Sequence, residues 1–109
     1  MAVNYKVLGQ LADASANDVT LYTVPASTET VISTIIVCNR ETASNTFRLA
    51  IKPDGGAVAN EDYIAYDAII TANDTLTLTL GLTLDASDVI SCGASDANVS
   101  FSVFGSEIS

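Results

Sequence analysis

The groups in this sequence that could do chemistry are carboxylates. Thirteen Asp and Glu face four basic residues, Lys6, Arg40, Arg48 and Lys52, and histidine is absent. Glu61 and Asp62, with Asp67 following, could in principle serve as the paired carboxyls of glycoside hydrolysis, a reaction that depends on their separation. Nothing in the spacing fixes that separation. Aromatics for a sugar to stack on are sparse, although Tyr63 and Tyr66 lie close by. Asp85-Ala86-Ser87-Asp88 and Asp96-Ala97-Asn98 offer the clustered oxygens that calcium wants. Neither has EF-hand spacing, and neither brings a glutamate to close the site. Asp and Asn also favour turns because they bond their own backbone and tolerate unusual dihedrals. Asp54-Gly55-Gly56 could cradle a phosphate, but the Gly-Lys-Ser/Thr that completes such a loop is missing. All three groupings are therefore read as surface carboxylates and turns.

Without histidine there is no ordinary proton shuttle at neutral pH, and the commonest metal ligand is lost. A Ser-His-Asp or Cys-His arrangement cannot be built within one chain. Cys38 and Cys92 are far apart and match no metal-binding spacing. Each sits in an apolar, strand-like stretch where a thiol behaves as a small hydrophobe; a Cys38–Cys92 bridge is the alternative. No catalytic, cofactor-binding or metal-binding residue is expected.

The formal charge of −9 argues against nucleic acid, whose binders offset phosphate with Lys and Arg. An anionic membrane surface is disfavoured for the same reason. The N-terminal residues 1–10 lack the apolar run of a signal peptide, and no stretch reaches the length of a membrane span. A chain made and folded in a cytoplasm is expected. The acidity is read as keeping an apolar-rich sequence in solution, with a surface that meets a basic partner as the alternative.

The elements that would position any site are strands. Thr75 to Leu84 alternates strictly, with Leu76, Leu78, Leu80, Leu82 and Leu84 on one face and mainly threonine on the other. Further strands are expected over Val3 to Leu11, Val19 to Val24, Glu29 to Asn39, Asn45 to Lys52, Asp62 to Tyr66, Ser87 to Gly93 and Asn98 to Phe104. Turn-rich clusters separate them, including Asp13 to Asp18, Asn39 to Ser44 and Gly93 to Asn98. About eight short strands punctuated in this way predict a single all-β domain over residues 1–109, an antiparallel β-sandwich of jelly-roll type.

One strand departs from simple alternation. Along Val31 to Cys38 one face carries Val31, Ser33, Ile35 and Val37, and the other Ile32, Thr34, Ile36 and Cys38. Both are largely apolar, yet a two-layer sandwich buries only one face of each strand. A loop or a neighbouring subunit must cover the other. An interface over Ile32, Thr34, Ile36 and Cys38 is expected, with Tyr63 and Tyr66 as amphipathic contact groups.

Met1-Ala2-Val3-Asn4-Tyr5-Lys6-Val7-Leu8-Gly9-Gln10, Leu21-Tyr22-Thr23-Val24-Pro25-Ala26 and Thr30 to Arg40 carry a family likeness. Tyr63-Ile64-Ala65-Tyr66-Asp67 and the ending Phe104-Gly105-Ser106-Glu107-Ile108 continue it. Over nearly its whole length the chain resembles small virion structural proteins of tailed bacteriophages, especially phages of aquatic bacteria. The resemblance brings no catalytic motif. It implies a non-enzymatic virion protein made in the host cytoplasm. A capsid decoration or cement protein is the first reading, and a tail, neck or fibre accessory, or a receptor- or glycan-binding module, the alternative. The expected partners are the chain itself, as a homo-oligomer with a trimer favoured, and the major capsid protein or tail and neck proteins.

Overall fold

The computed structural model describes residues 2–16 and 18–109, with Leu80 described by its backbone alone. Eight strands follow in order: β1 (Val3–Leu11), β2 (Val19–Thr23), β3 (Glu29–Asn39), β4 (Asn45–Lys52), β5 (Tyr63–Ile70), β6 (Thr75–Leu84), β7 (Val89–Ala94) and β8 (Val99–Ile108). They form two four-stranded antiparallel sheets, sheet A in the order β1-β8-β3-β6 and sheet B in the order β2-β7-β4-β5. Only the β4–β5 connection stays within one sheet; every other connection crosses the sandwich. This is the jelly roll that the spacing of strands and turns predicts, with its paired Greek keys.

Several boundaries shift, those of β5 and β8 the most, while β7 starts at Val89 instead of Ser87. Asp62 ends a short 3-10 turn (Asn60–Asp62), so the expected Asp62-to-Tyr66 strand starts at Tyr63 and runs on to Ile70. The last strand also extends beyond Phe104 to Ile108, because both β1 and β3 pair with it to its end. In β6 the leucines Leu76, Leu78, Leu82 and Leu84 face the core as the alternation predicts. The fifth, Leu80, has its side chain outside the described residues, as is Asn17 of the Asp13-to-Asp18 turn.

The core joins inward side chains of both sheets: Ile32, Ile35, Val37, Phe101 and Val103 meet Leu21, Phe47, Leu49, Ile70 and Ile90. Ile32 is fully buried, which corrects its expected place on the interface face. The cause is a β-bulge at Ser33: two steps along β3, from Ile32 to Thr34, match one step along β8, from Gly105 to Phe104. A bulge shifts the phase of everything beyond it. Thr30 and Ile32 therefore face inward with Ile35, Val37 and Asn39, while Val31, Thr34, Ile36 and Cys38 face outward. The strand with two apolar faces is a strand that changes phase. The Ser33 hydroxyl donates to the Phe104 carbonyl at 3.1 Å, satisfying an acceptor at the irregularity.

A polar bridge closes one end of the sandwich. The buried Glu107 of β8 receives the Lys6 ammonium at 2.6 Å and the Tyr22 hydroxyl at 2.6 Å, and Tyr22 also bonds Thr30 at 2.8 Å. Lys6 and then Tyr22 hold the Glu107 carboxyl below its ordinary value. Burial, then the bond to Glu107, pushes the Tyr22 phenol up to about 12. The signs follow from linkage. A depressed carboxyl contributes stability above its unfolded value of about 4.3 that is lost as pH falls. A raised phenol contributes stability below about 10 that is lost as pH rises towards 12. A urea-midpoint series across pH is expected to show a plateau between about 5 and 9 with losses on both sides. Glu107→Gln should flatten the acid limb; an unchanged acid limb in that variant would contradict the role given to Glu107.

The two thiols are free and separate: Cys38 is half-buried on the outer side of sheet A, and Cys92 lies in the core from sheet B. Burial raises the Cys92 thiol to about 12, far from the reactive thiolate. Alkylation of the folded protein without reductant should label Cys38 first, and Cys92 only after unfolding. A linked Cys38–Cys92 peptide in the mass spectrum would contradict this.

Candidate interaction surfaces

The two outer faces of the sandwich differ in chemistry. On sheet A the register lines up outward rows across all four strands: Tyr5, Ser106, Val31 and Thr83 form one, and Val7, Phe104, Thr34 and Thr79 the next. A third runs Gln10, Ser102, Ile36 and Thr77. Tyr5 is 84% exposed, and Val3, Val7 and Val31 are also exposed. Tyr5 forms one wall of a shallow hollow of about 500 Å³ whose other walls are Val31, Ser33, Phe104, Gly105 and Ser106. Lys6 borders it, but its ammonium is engaged by Glu107. Among the described residues, Glu29 at the start of β3 is the one charged residue in an outward position on this sheet.

Sheet B carries charge. Arg48 of β4 donates to Asp67 of β5 through Nε at 2.7 Å and through an Nη at 3.2 Å. Its guanidinium lies 4.1 Å above the Tyr66 ring, and Tyr63 meets Tyr66 edge-on at 4.9 Å. Two register shifts against β4 make β5 irregular, and Asp67 takes a positive φ of 51°, a conformation Asp tolerates better than most residues. The irregularity turns Ile64, Tyr66 and Ile69 into the most exposed side of this edge, with Ile69 at 70%. A polar hollow of about 280 Å³ between Arg48, Asp67, Ser15 and Ser95 sits beside them.

The six residues expected to share an interface thus divide three ways. Thr34, Ile36 and Cys38 lie on the outer face of sheet A, Tyr63 and Tyr66 on the opposite side of the sandwich at the β5 edge, and Ile32 inside. The sequence reading missed Tyr5, Val7 and Val31, whose exposure follows from β1 being an edge strand and from the β3 phase change.

Asp62, Asp67, Asp85, Asp88 and Asp96, among the carboxylates singled out for chemistry, hold structural bonds. Asp88 accepts the backbone N–H groups of Asp54 and of Asp85, each at 2.9 Å, which locks two loops together. Asp96 accepts the Asn98 N–H at 2.8 Å, and Asp62 accepts that of Ala59 at 2.8 Å. Arg48 holds the Asp67 carboxyl below the usual range, the reverse of what a general acid needs.

No family model matches the sequence, and no curated protein is significantly similar to it. Among solved structures, a chain in the structure of infectious bursal disease virus, Gx strain, aligns with 97% of this chain at 12% identity and a TM-score of 0.43. The alignment spans 31% of that viral chain, so this chain covers about a third of its length. The jelly-roll assignment rests on the strand order itself.

Proposed function

We propose that this chain is a non-enzymatic structural protein of a tailed-phage virion, a decoration or cement protein that stabilises the capsid shell through contacts of its sheet faces. The observation that carries the reading is the outer face of sheet A: apolar and hydroxyl side chains across four strands, on a chain of net charge −9. Exposed apolar surface gathered on one side of a soluble domain marks a site of interaction. The resemblance to small phage virion proteins supplies the setting. The β5 edge, with Ile64, Tyr66 and Ile69, is a second adhesive surface on the opposite sheet. It leaves the domain able to hold itself and the shell at once. Arg48 caps one face of Tyr66, which favours protein contact there over sugar stacking.

Quantitative mass spectrometry of purified particles tests this. Hundreds of copies per particle, in a fixed ratio to the major capsid protein, are expected. Roughly six or twelve copies, the multiplicity of a ring on the tail axis, would move the protein to the neck or tail. Absence from particles would end the reading.

A further inference from the structure

We infer that the outer face of sheet A packs against the same face of a second copy about a two-fold axis, with Tyr5 of each copy seated in the other's hollow. The inference rests on the assembly reading above and names its partner. Three observations lead to it. The first is charge. A partner recognised by ion pairing needs countercharges, and this face offers only Glu29 at its margin, since the Lys6 ammonium is spent on Glu107. What it presents is valine, tyrosine, phenylalanine, serine and threonine, a surface matched by another of its own kind. The acidic groups sit mainly in the loops around the sandwich, where their mutual repulsion is screened by salt.

The second is area. Four strands of 9, 10, 11 and 10 residues, about 4.8 Å apart at about 3.3 Å per residue, give a footprint of about 630 Å². Two copies then bury about 1,250 Å², at the lower end of the range of specific interfaces. The third is shape. Tyr5 is the most exposed large apolar side chain among the described residues, and it stands at the rim of the hollow on the same face. A knob next to its own hole is self-complementary under a two-fold rotation and under no other closed symmetry of two flat faces. That replaces the ring of three expected from the sequence with a pair. Large aromatic groups in such pockets carry most of the binding energy of an interface.

Sedimentation velocity of the full chain, from roughly 1 to 500 µM at low and high salt, tests the pairing. A monomer–dimer equilibrium that tightens with added salt is expected. Tyr5→Lys and Ile36→Lys should each weaken it at least ten-fold, while Ile69→Lys on the far sheet leaves it unchanged. All three positions point outward, and an unaltered thermal transition confirms that each variant folds. A monomer at every concentration, a trimer, or a dimer broken by Ile69→Lys but not by Tyr5→Lys overturns the inference. A monomer that is nevertheless abundant on particles removes the pairing and keeps the virion role. A dimer absent from particles does the reverse.

Discussion

Alanine at Gly105 is expected to destabilise the domain by about 3 kcal/mol or more, the upper range for a methyl group forced into packed structure. A Cβ built there would overlap the Val31 carbonyl oxygen and lie 3.1 Å from both the Ile32 Cα and the Leu8 Cδ1. The first two neighbours are backbone, which cannot swing aside as a side chain could. The crowding has a structural origin. Gly105 pairs with Ile32 where β3 inserts the extra residue Ser33 against β8, one step before β1 inserts its own extra residue, Leu8, between the partners of Phe104 and Val103. The phase change that sends Ile32 into the core thus requires the absence of a side chain on the strand between. Gly81 is the control, since a Cβ there meets nothing within 4 Å. Urea unfolding should show the Gly105→Ala midpoint lowered by about 2 M and the Gly81→Ala midpoint nearly unmoved. Equal midpoints for the two variants would contradict the packing described at the bulge.

Phe101→Ala should cost about 3–5 kcal/mol, the usual range for emptying a buried aromatic site. Phe101 is 1% exposed and meets Phe47 of the opposite sheet edge-to-face, with centroids 6.2 Å apart and planes at 68°. The pair joins the sheets at mid-core, so the loss includes its own interaction of about 0.5–1.5 kcal/mol as well as the cavity. Against a typical stability of 5–15 kcal/mol, a domain at the lower end would be largely unfolded by it. Calorimetry should find the transition lowered by well over 10 °C or lost. A shift of only a few degrees would mean that Phe101 is not the joint between the sheets.

Much of this architecture was legible in the residues. The Leu/Thr alternation of β6, the apolar run of β3 and the Asp- and Asn-rich turns carry period and punctuation, and both survive folding because they are local. Asp18, Asp54 and Asn73 take positive φ in or beside such turns. The phase of β3 was not legible. A bulge is set by the register of neighbouring strands, and in a jelly roll those neighbours, β6 and β8, are distant in sequence. Counting by twos from Val31 therefore put Ile32 outside and Ile35 with Val31, where the fold has Ile32 and Ile35 together in the core. The same blindness hid the β5 irregularities and the Arg48–Asp67 pair across the strands. Tyr63 and Tyr66 meet edge-on, and no local pattern shows that they lie across the sandwich from Ile36. The prominence of Tyr5 needed the knowledge that β1 forms a sheet edge. One signal was present: Gly105 interrupts an otherwise alternating β8, and a glycine inside a strand often marks a bulge or close backbone approach.

Electron cryo-microscopy of the intact particle tests the central claim most directly, because it shows both where the domain sits and which face it hides. The account predicts jelly-roll density in many copies on the shell, with the outer face of sheet A, around Tyr5, Val31 and Ile36, buried against a second copy. Density in which that face is open to solvent, or particles that lack the domain altogether, would contradict it.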